Sequence, residues 1–95
     1  MLHALDPHPG PAYPVPWRVD RTDRTHPLVL NAGETAVEFV RVFRSTDSAT
    51  EHWGTLDSGE ALEVCLCGTD LDEVVITLCW FRSSTAEEYA WRFVM

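Results

Sequence analysis

The chain has no lysine: its seven cationic side chains are all arginine, set against 15 acids, for a formal net charge of −8. Phosphate binding draws on clustered Lys and Arg, so this balance disfavours nucleic acid. Anionic membrane surfaces are disfavoured for the same reason. We read the exclusive use of arginine as the coding bias of a GC-rich genome rather than as chemistry. Long apolar runs are missing too, and nothing approaches the roughly 20 residues of a membrane span. Met1–Pro16 lacks the basic start and apolar stretch of a secretory leader. A cytoplasmic location is therefore expected, with no membrane partner, and there Cys65, Cys67 and Cys79 are expected to be reduced. Catalytic signatures are lacking as well. There is no G-x-S-x-G elbow, no H-E-x-x-H pair and no Gly-rich phosphate loop. His3, His8, His26 and His52 are scattered. The expectation is a protein that is not an enzyme and has no cofactor.

Ninety-five residues, 45% of them hydrophobic and 11% aromatic, suffice for one domain with one core. The charge within it is lopsided. Residues 1–44 hold five Arg and five acids, while residues 45–95 hold Arg82 and Arg92 against ten acids, so the whole excess lies in the second half. Prolines are equally uneven: Pro7, Pro9, Pro11, Pro14 and Pro16 crowd residues 1–16, out of six in the chain. Such a stretch cannot sustain a helix or a central strand. Residues 1–16 are therefore read as a Pro-rich arm and residues 17–95 as the folded domain.

The domain centres on Val74–Phe81, where seven of eight residues are apolar and neither Gly nor Pro interrupts. That composition reads as a strand buried on one face and largely covered on the other. Around it the pattern predicts strands at Trp17–Asp20, Pro27–Asn31, Ala36–Arg44, Glu51–Leu56, Ala61–Cys67 and Glu88–Met95. Val37, Val40 and Val42 do not share one period-2 face, which predicts a bulge near Glu38–Phe39. Thr85-Ala86-Glu87-Glu88 resembles a capping box, but the alternation of Tyr89, Trp91, Phe93 and Met95 favours a strand. Leu62, Val64, Leu66, Ile76 and Leu78 are expected in the core, with Trp80 and Trp91. Trp17 and Trp53, at the margins of elements, are expected to be part-exposed. About seven short strands separated by turn signals predict an all-β fold, an antiparallel immunoglobulin-like β-sandwich.

Leu30-Asn31-Ala32-Gly33, then Val40-Arg41-Val42, then Leu56-Asp57-Ser58-Gly59-Glu60 before Val64-Cys65-Leu66 form an L-N-x-G, V-x-V, L-x-x-G-E, V-x-L pattern. It is similar to that of CARDB-like and other bacterial immunoglobulin-like sandwich modules, over residues 30 to 66. The resemblance implies the sandwich fold and an adhesion or accessory role; it brings no catalytic residues.

Two clusters carry candidate chemistry. Cys65-Leu66-Cys67 with Cys79 offers three thiols. On a strand, however, the two sulfurs of C-x-C sit about 7 Å apart, whereas zinc knuckles use C-x₂₋₄-C. Buried or half-buried structural thiols are the expectation. Asp70-Leu71-Asp72-Glu73 offers hard oxygens for Ca²⁺ but lacks the EF-hand spacing, and reads as a solvated acidic loop. No metal ligands are assigned. The functional expectation is a non-catalytic protein-interaction or structural module. It would engage itself as a homodimer, or another protein, through the last strand or the Arg-bearing first strands. Trp17, Arg18, Trp53 and Arg92 are the candidate contact residues. The alternative is a metal- or small-ligand-binding protein using Cys65, Cys67 and Cys79 or the loop Asp70–Glu73.

Overall fold

The computed structural model describes residues 14–47, 49–82 and 85–95. Among them are seven strands: β1 (Trp17–Asp20), β2 (Leu28–Asn31), β3 (Val37–Arg44), β4 (Thr50–Leu56), β5 (Ala61–Glu63), β6 (Val75–Arg82) and β7 (Glu88–Val94). They form two antiparallel sheets, one ordered β1-β2-β5 and the other β4-β3-β6-β7. Residues 1–13, most of the predicted arm, lie outside the described residues. The arm's end does not: Pro16 is buried, and its carbonyl accepts the Ala32 N–H at 2.7 Å. The fold therefore begins at least one residue before the predicted boundary. No helix among the described residues is long and apolar enough to cross a membrane.

The apolar run 74–81 supplies β6, the inner strand between β3 and β7. Its alternate residues Ile76, Leu78 and Trp80 are buried, and Val74 just before it is too. From the other sheet, Trp17 sets its ring edge-on to Trp80, centroids 5.5 Å apart at 90°; Tyr89 on β7 stacks over Trp80 at 5.9 Å. Aromatic pairs in these geometries add to plain area burial. Trp17 is thus a core residue, only 7% exposed. The expectation of a part-exposed side chain fails because β1 turns its inward face onto β6. Trp91 is half-buried, and Trp53 is half-buried against the core. Leu62 also departs from expectation at 37% exposure. It pairs with Val29 on the edge strand β5, so only one side of it is covered.

The bulge in β3 falls where the valines require it. The register slips between Val37 and Val40 against β4, and between Glu38 and Arg41 against β6. Phe39 absorbs the slip with φ +52° and stands 68% exposed, its ring edge-to-face with Phe81 at 6.0 Å. A bulky residue in the left-handed region is strained by roughly 1–3 kcal/mol. The gain is that Val37, Val40 and Val42 all enter the core.

The buried amide of Asn31 ties the two sheets together at the β2–β3 turn. Its Nδ2 donates to the carbonyls of Thr35 and Leu56, both at 3.0 Å, and its Oδ1 accepts the Gly33 N–H at 3.0 Å. A Cβ on Gly33 would approach Pro16 Cβ to 3.1 Å and Asn31 Oδ1 to 3.3 Å. The Asn-x-Gly spacing is therefore a packing requirement: the amide satisfies buried backbone, and the glycine lets the chain pass close.

Arginines of the first half are engaged within the chain. Arg21 donates through Nε and Nη2 to the Val94 carbonyl at 3.2 and 3.0 Å and lies over the Phe93 ring. Arg24 reaches the Met95 carbonyl at 3.4 Å. Arg41 pairs with Glu88, and Arg44 with Glu51 at 2.5 Å and Asp47 at 3.5 Å. Arg41 and Arg44 are thereby matched to acids of the second half of the same molecule.

Candidate metal centre

The strand predicted over Ala61–Cys67 ends at Glu63, and the reason lies in its partner. The β2–β5 register pairs Leu28 with Glu63. Continued toward the N-terminus of β2, it sets Pro27 opposite Val64, His26 opposite Cys65 and Thr25 opposite Leu66. The backbone follows this course on one side only. Val64 N–H donates to the Pro27 carbonyl at 3.0 Å, and Leu66 N–H to the Thr25 carbonyl at 2.7 Å. The return bonds are missing because Pro27 has no N–H and the Thr25 N–H is taken by Asp23 Oδ1 at 3.0 Å. Regular ladder gives way to half a ladder, and His26 and Cys65 occupy a non-hydrogen-bonded pair, the kind in which side chains approach most closely.

Val64 and Leu66 are fully buried and point inward, so Cys65 and Cys67 on either side of Leu66 point outward, both exposed. After Cys67 the chain turns. Thr69 N–H bonds to the Leu66 carbonyl at 3.0 Å, and Gly68 takes φ +74°. Cys67 is part of this turn and not of a straight strand, which removes the separation expected from extended geometry. The two sulfurs thereby come within 4.8 Å of each other.

His26 completes the cluster. Its Nε2 lies 3.1 Å from Cys67 Sγ and 3.8 Å from Cys65 Sγ, and the three donor atoms all fall within 4.8 Å of one another. Zn–S bonds of about 2.3 Å and Zn–N bonds of about 2.0–2.1 Å imply tetrahedron edges of about 3.6 Å for S···N and about 3.8 Å for S···S. Both observed S···N distances are within about half an ångström of that requirement, which side-chain rotation covers.

The imidazole is also oriented. Its Nδ1 faces Thr25 Oγ1 at 3.0 Å and Asp23 Oδ2 at 3.3 Å. Asp23 is itself held, since its Oδ1 accepts the Thr25 N–H and hydroxyl at 3.0 and 2.9 Å. With the Thr25 proton donated to Asp23, Nδ1 carries its own proton toward these acceptors. Nε2 then presents its lone pair to the sulfurs. A carboxylate behind a ligating histidine is the usual outer shell of a protein metal site.

The electrostatics follow this arrangement. The Thr25 hydroxyl and N–H hold the Asp23 carboxyl below its ordinary range. Partial desolvation works to lower the His26 pKa, but the negative charges of Asp23, Glu63 and Cys65 outweigh it and the net shift is upward. The N–H and thiol of Cys67 lower the Cys65 pKa, and the same thiol contact raises that of Cys67. The pair is thus unequal: Cys65 ionises first.

The other candidates are not gathered here. Cys79 lies on β6 opposite Arg41 and Ala90, in the other sheet, and is half-buried, so the trio Cys65, Cys67 and Cys79 does not form. Asp70 spends its carboxylate on a turn, Oδ1 accepting the Asp72 N–H at 3.0 Å. Trp17 is buried and Arg18 exposed on β1, while Trp53 and the exposed Arg92 stand on β4 and β7, opposite edges of the larger sheet. These four do not converge on one surface. His26 had no sequence signal of its own. Comparison with family models, with curated proteins and with solved structures finds no match for this chain.

Proposed function

We propose that the protein is a non-catalytic metal-binding module, holding one thiophilic divalent ion, zinc by preference, between His26 Nε2 and the sulfurs of Cys65 and Cys67. The observation that carries this reading is the convergence of the three donors from two turns that are forty residues apart. Thiolate and imidazole together select zinc and other soft ions over Mg²⁺ or Ca²⁺. Three protein donors on an exposed rim leave the fourth position to water. The ion would cross-link the Asp23–His26 turn to the Cys65–Gly68 turn, coupling binding to stability. A reducing, cytoplasmic setting belongs to the reading, because the donors must be thiols. Metal analysis of protein purified without chelator tests it. One zinc per chain is expected, with none retained by the Cys67→Ser variant; metal-free protein that takes up no zinc on titration would refute it.

The scaffold in this reading is an immunoglobulin-like sandwich of the CARDB-like kind. The strand order β1-β2-β5 with β4-β3-β6-β7 supports it, as does the role of Asn31 and Gly33 in the L-N-x-G segment.

A second reading, a module that pairs with a copy of itself, is favoured by β7. It is an edge strand of the larger sheet, and its outward Val94 is 62% exposed. Sedimentation velocity on concentrated protein is expected to show a dimer in that case, and a single monomeric boundary excludes it.

A further inference from the structure

Both thiols of the cluster are exposed, their sulfurs lie within 4.8 Å of each other, and one buried residue separates them. We propose that Cys65 and Cys67 are a modification site, a dithiol that a hydroperoxide converts to an intramolecular disulfide, dismantling the metal centre. The release of metal rests on the reading above; formation of the disulfide does not.

The geometry favours this pair over any other. Leu66 is fully buried and fixes the chain between the two cysteines, so both sulfurs stay on the outward side. The Sγ atoms lie within 4.8 Å of each other, and a modest rotation about each Cα–Cβ bond brings them into bonding range. Two residues of fully extended chain would separate the Cα atoms by about 6.6 Å, near the upper limit for a disulfide. The turn at Cys67–Gly68 shortens that span. Cys79, on β6 in the other sheet, offers no competing partner to either thiol.

The chemistry balances with one peroxide. The Cys65 sulfur attacks one oxygen of H₂O₂. The O–O bond breaks, the other oxygen leaves as water with the Cys65 proton, and Cys65 becomes a sulfenic acid. The Cys67 sulfur then attacks the Cys65 sulfur. The S–O bond breaks, hydroxide leaves, and it collects the Cys67 proton through His26 Nε2, 3.1 Å from that sulfur. Two electrons, one from each sulfur, have reduced peroxide to two waters. A disulfide across a single residue is strained and exposed, which places it among the readily reduced kind. An external dithiol returns it to the thiol form by exchange, itself becoming a disulfide.

With both sulfurs bound to each other, only His26 remains of the three donors, too few to hold zinc. Oxidation therefore empties the site and reduction restores it.

The test uses the full chain, metal-free and zinc-loaded, treated with stoichiometric H₂O₂ and assayed for thiols after unfolding. The metal-free protein is expected to fall from three titratable thiols to one, losing two hydrogens by mass and forming no covalent dimer. The Cys79→Ser variant should fall from two to none. Three surviving thiols, a covalent dimer, or oxygen added to cysteine without loss of two thiols would each overturn the proposal. The zinc-loaded protein should release its ion to a chromogenic chelator as the thiols disappear, and retake it after dithiothreitol. Zinc retained after the disulfide forms would overturn the release. If the disulfide forms but zinc never binds, the metal reading alone fails and the modification site stands.

Discussion

Trp80→Ala is expected to cost roughly 3–5 kcal/mol of stability, the usual range for emptying an aromatic site in a core. Trp80 is 1% exposed on the inner strand β6, and it is where the sheets meet. Trp17 meets its ring from β1 and Tyr89 stacks on it from β7. Truncation leaves both neighbours facing a cavity that neither sheet can close without losing register. Domains of this size have about 5–15 kcal/mol in total, so the variant would forfeit a large part of its margin. Urea denaturation reads the effect as a lower midpoint at unchanged slope. A loss under about 1 kcal/mol would mean that Trp80 does not fill the space between the sheets.

Removing a donor from the proposed metal site is expected to have the second large effect. Outer-shell substitutions at protein metal sites commonly cost 10–100-fold in affinity, so Asp23→Asn, which leaves the imidazole in place but weakens its anchor at 3.3 Å, should fall in that range. Losing a ligand should cost more than about 100-fold, for Cys65→Ser, Cys67→Ser and His26→Ala alike. Cys79→Ser should leave affinity unchanged, since that thiol belongs to the other sheet. Competition against a chelator of known affinity ranks the five variants. Equal losses in Cys79→Ser and Cys67→Ser would point to a general disturbance of folding and away from ligation.

The sequence made some of this architecture legible, for identifiable reasons. The run through Ile76, Leu78 and Trp80 reads as an inner strand of a small all-β domain, and β6 lies between β3 and β7. The three valines of β3 demanded a bulge because period-2 alternation cannot bury them all, and the register breaks there. Tyr89, Trp91 and Phe93 made a strand of a segment that opens like a helix. What periodicity cannot convey is which element lies opposite. Trp17 sits near the start of the domain and reads as marginal until Trp80 is found facing it. Leu62 alternates correctly and is still partly uncovered, because an edge strand has only one neighbour.

The candidate donor cluster was legible only as far as the thiols. Cys65-x-Cys67 reads poorly as a ligand pair on a straight strand, and the straight strand is what failed. Pro27, unable to donate, reduces the ladder to one side, and the turn at Gly68 moves Cys67 out of extended geometry. His26 lies 39 residues from Cys65, and only the β2–β5 register brings them together. The Asp-x-Thr-His segment that orients the imidazole reads as an ordinary polar turn until that register is known.

One ion is expected between two sulfurs and one imidazole nitrogen. X-ray absorption at the zinc edge of the zinc-loaded protein measures this coordination shell most directly. Two sulfur scatterers at about 2.3 Å and nitrogen or oxygen at about 2.0–2.1 Å are expected, with one sulfur lost in Cys67→Ser. A shell of oxygen and nitrogen alone, unchanged by that substitution, would contradict the account.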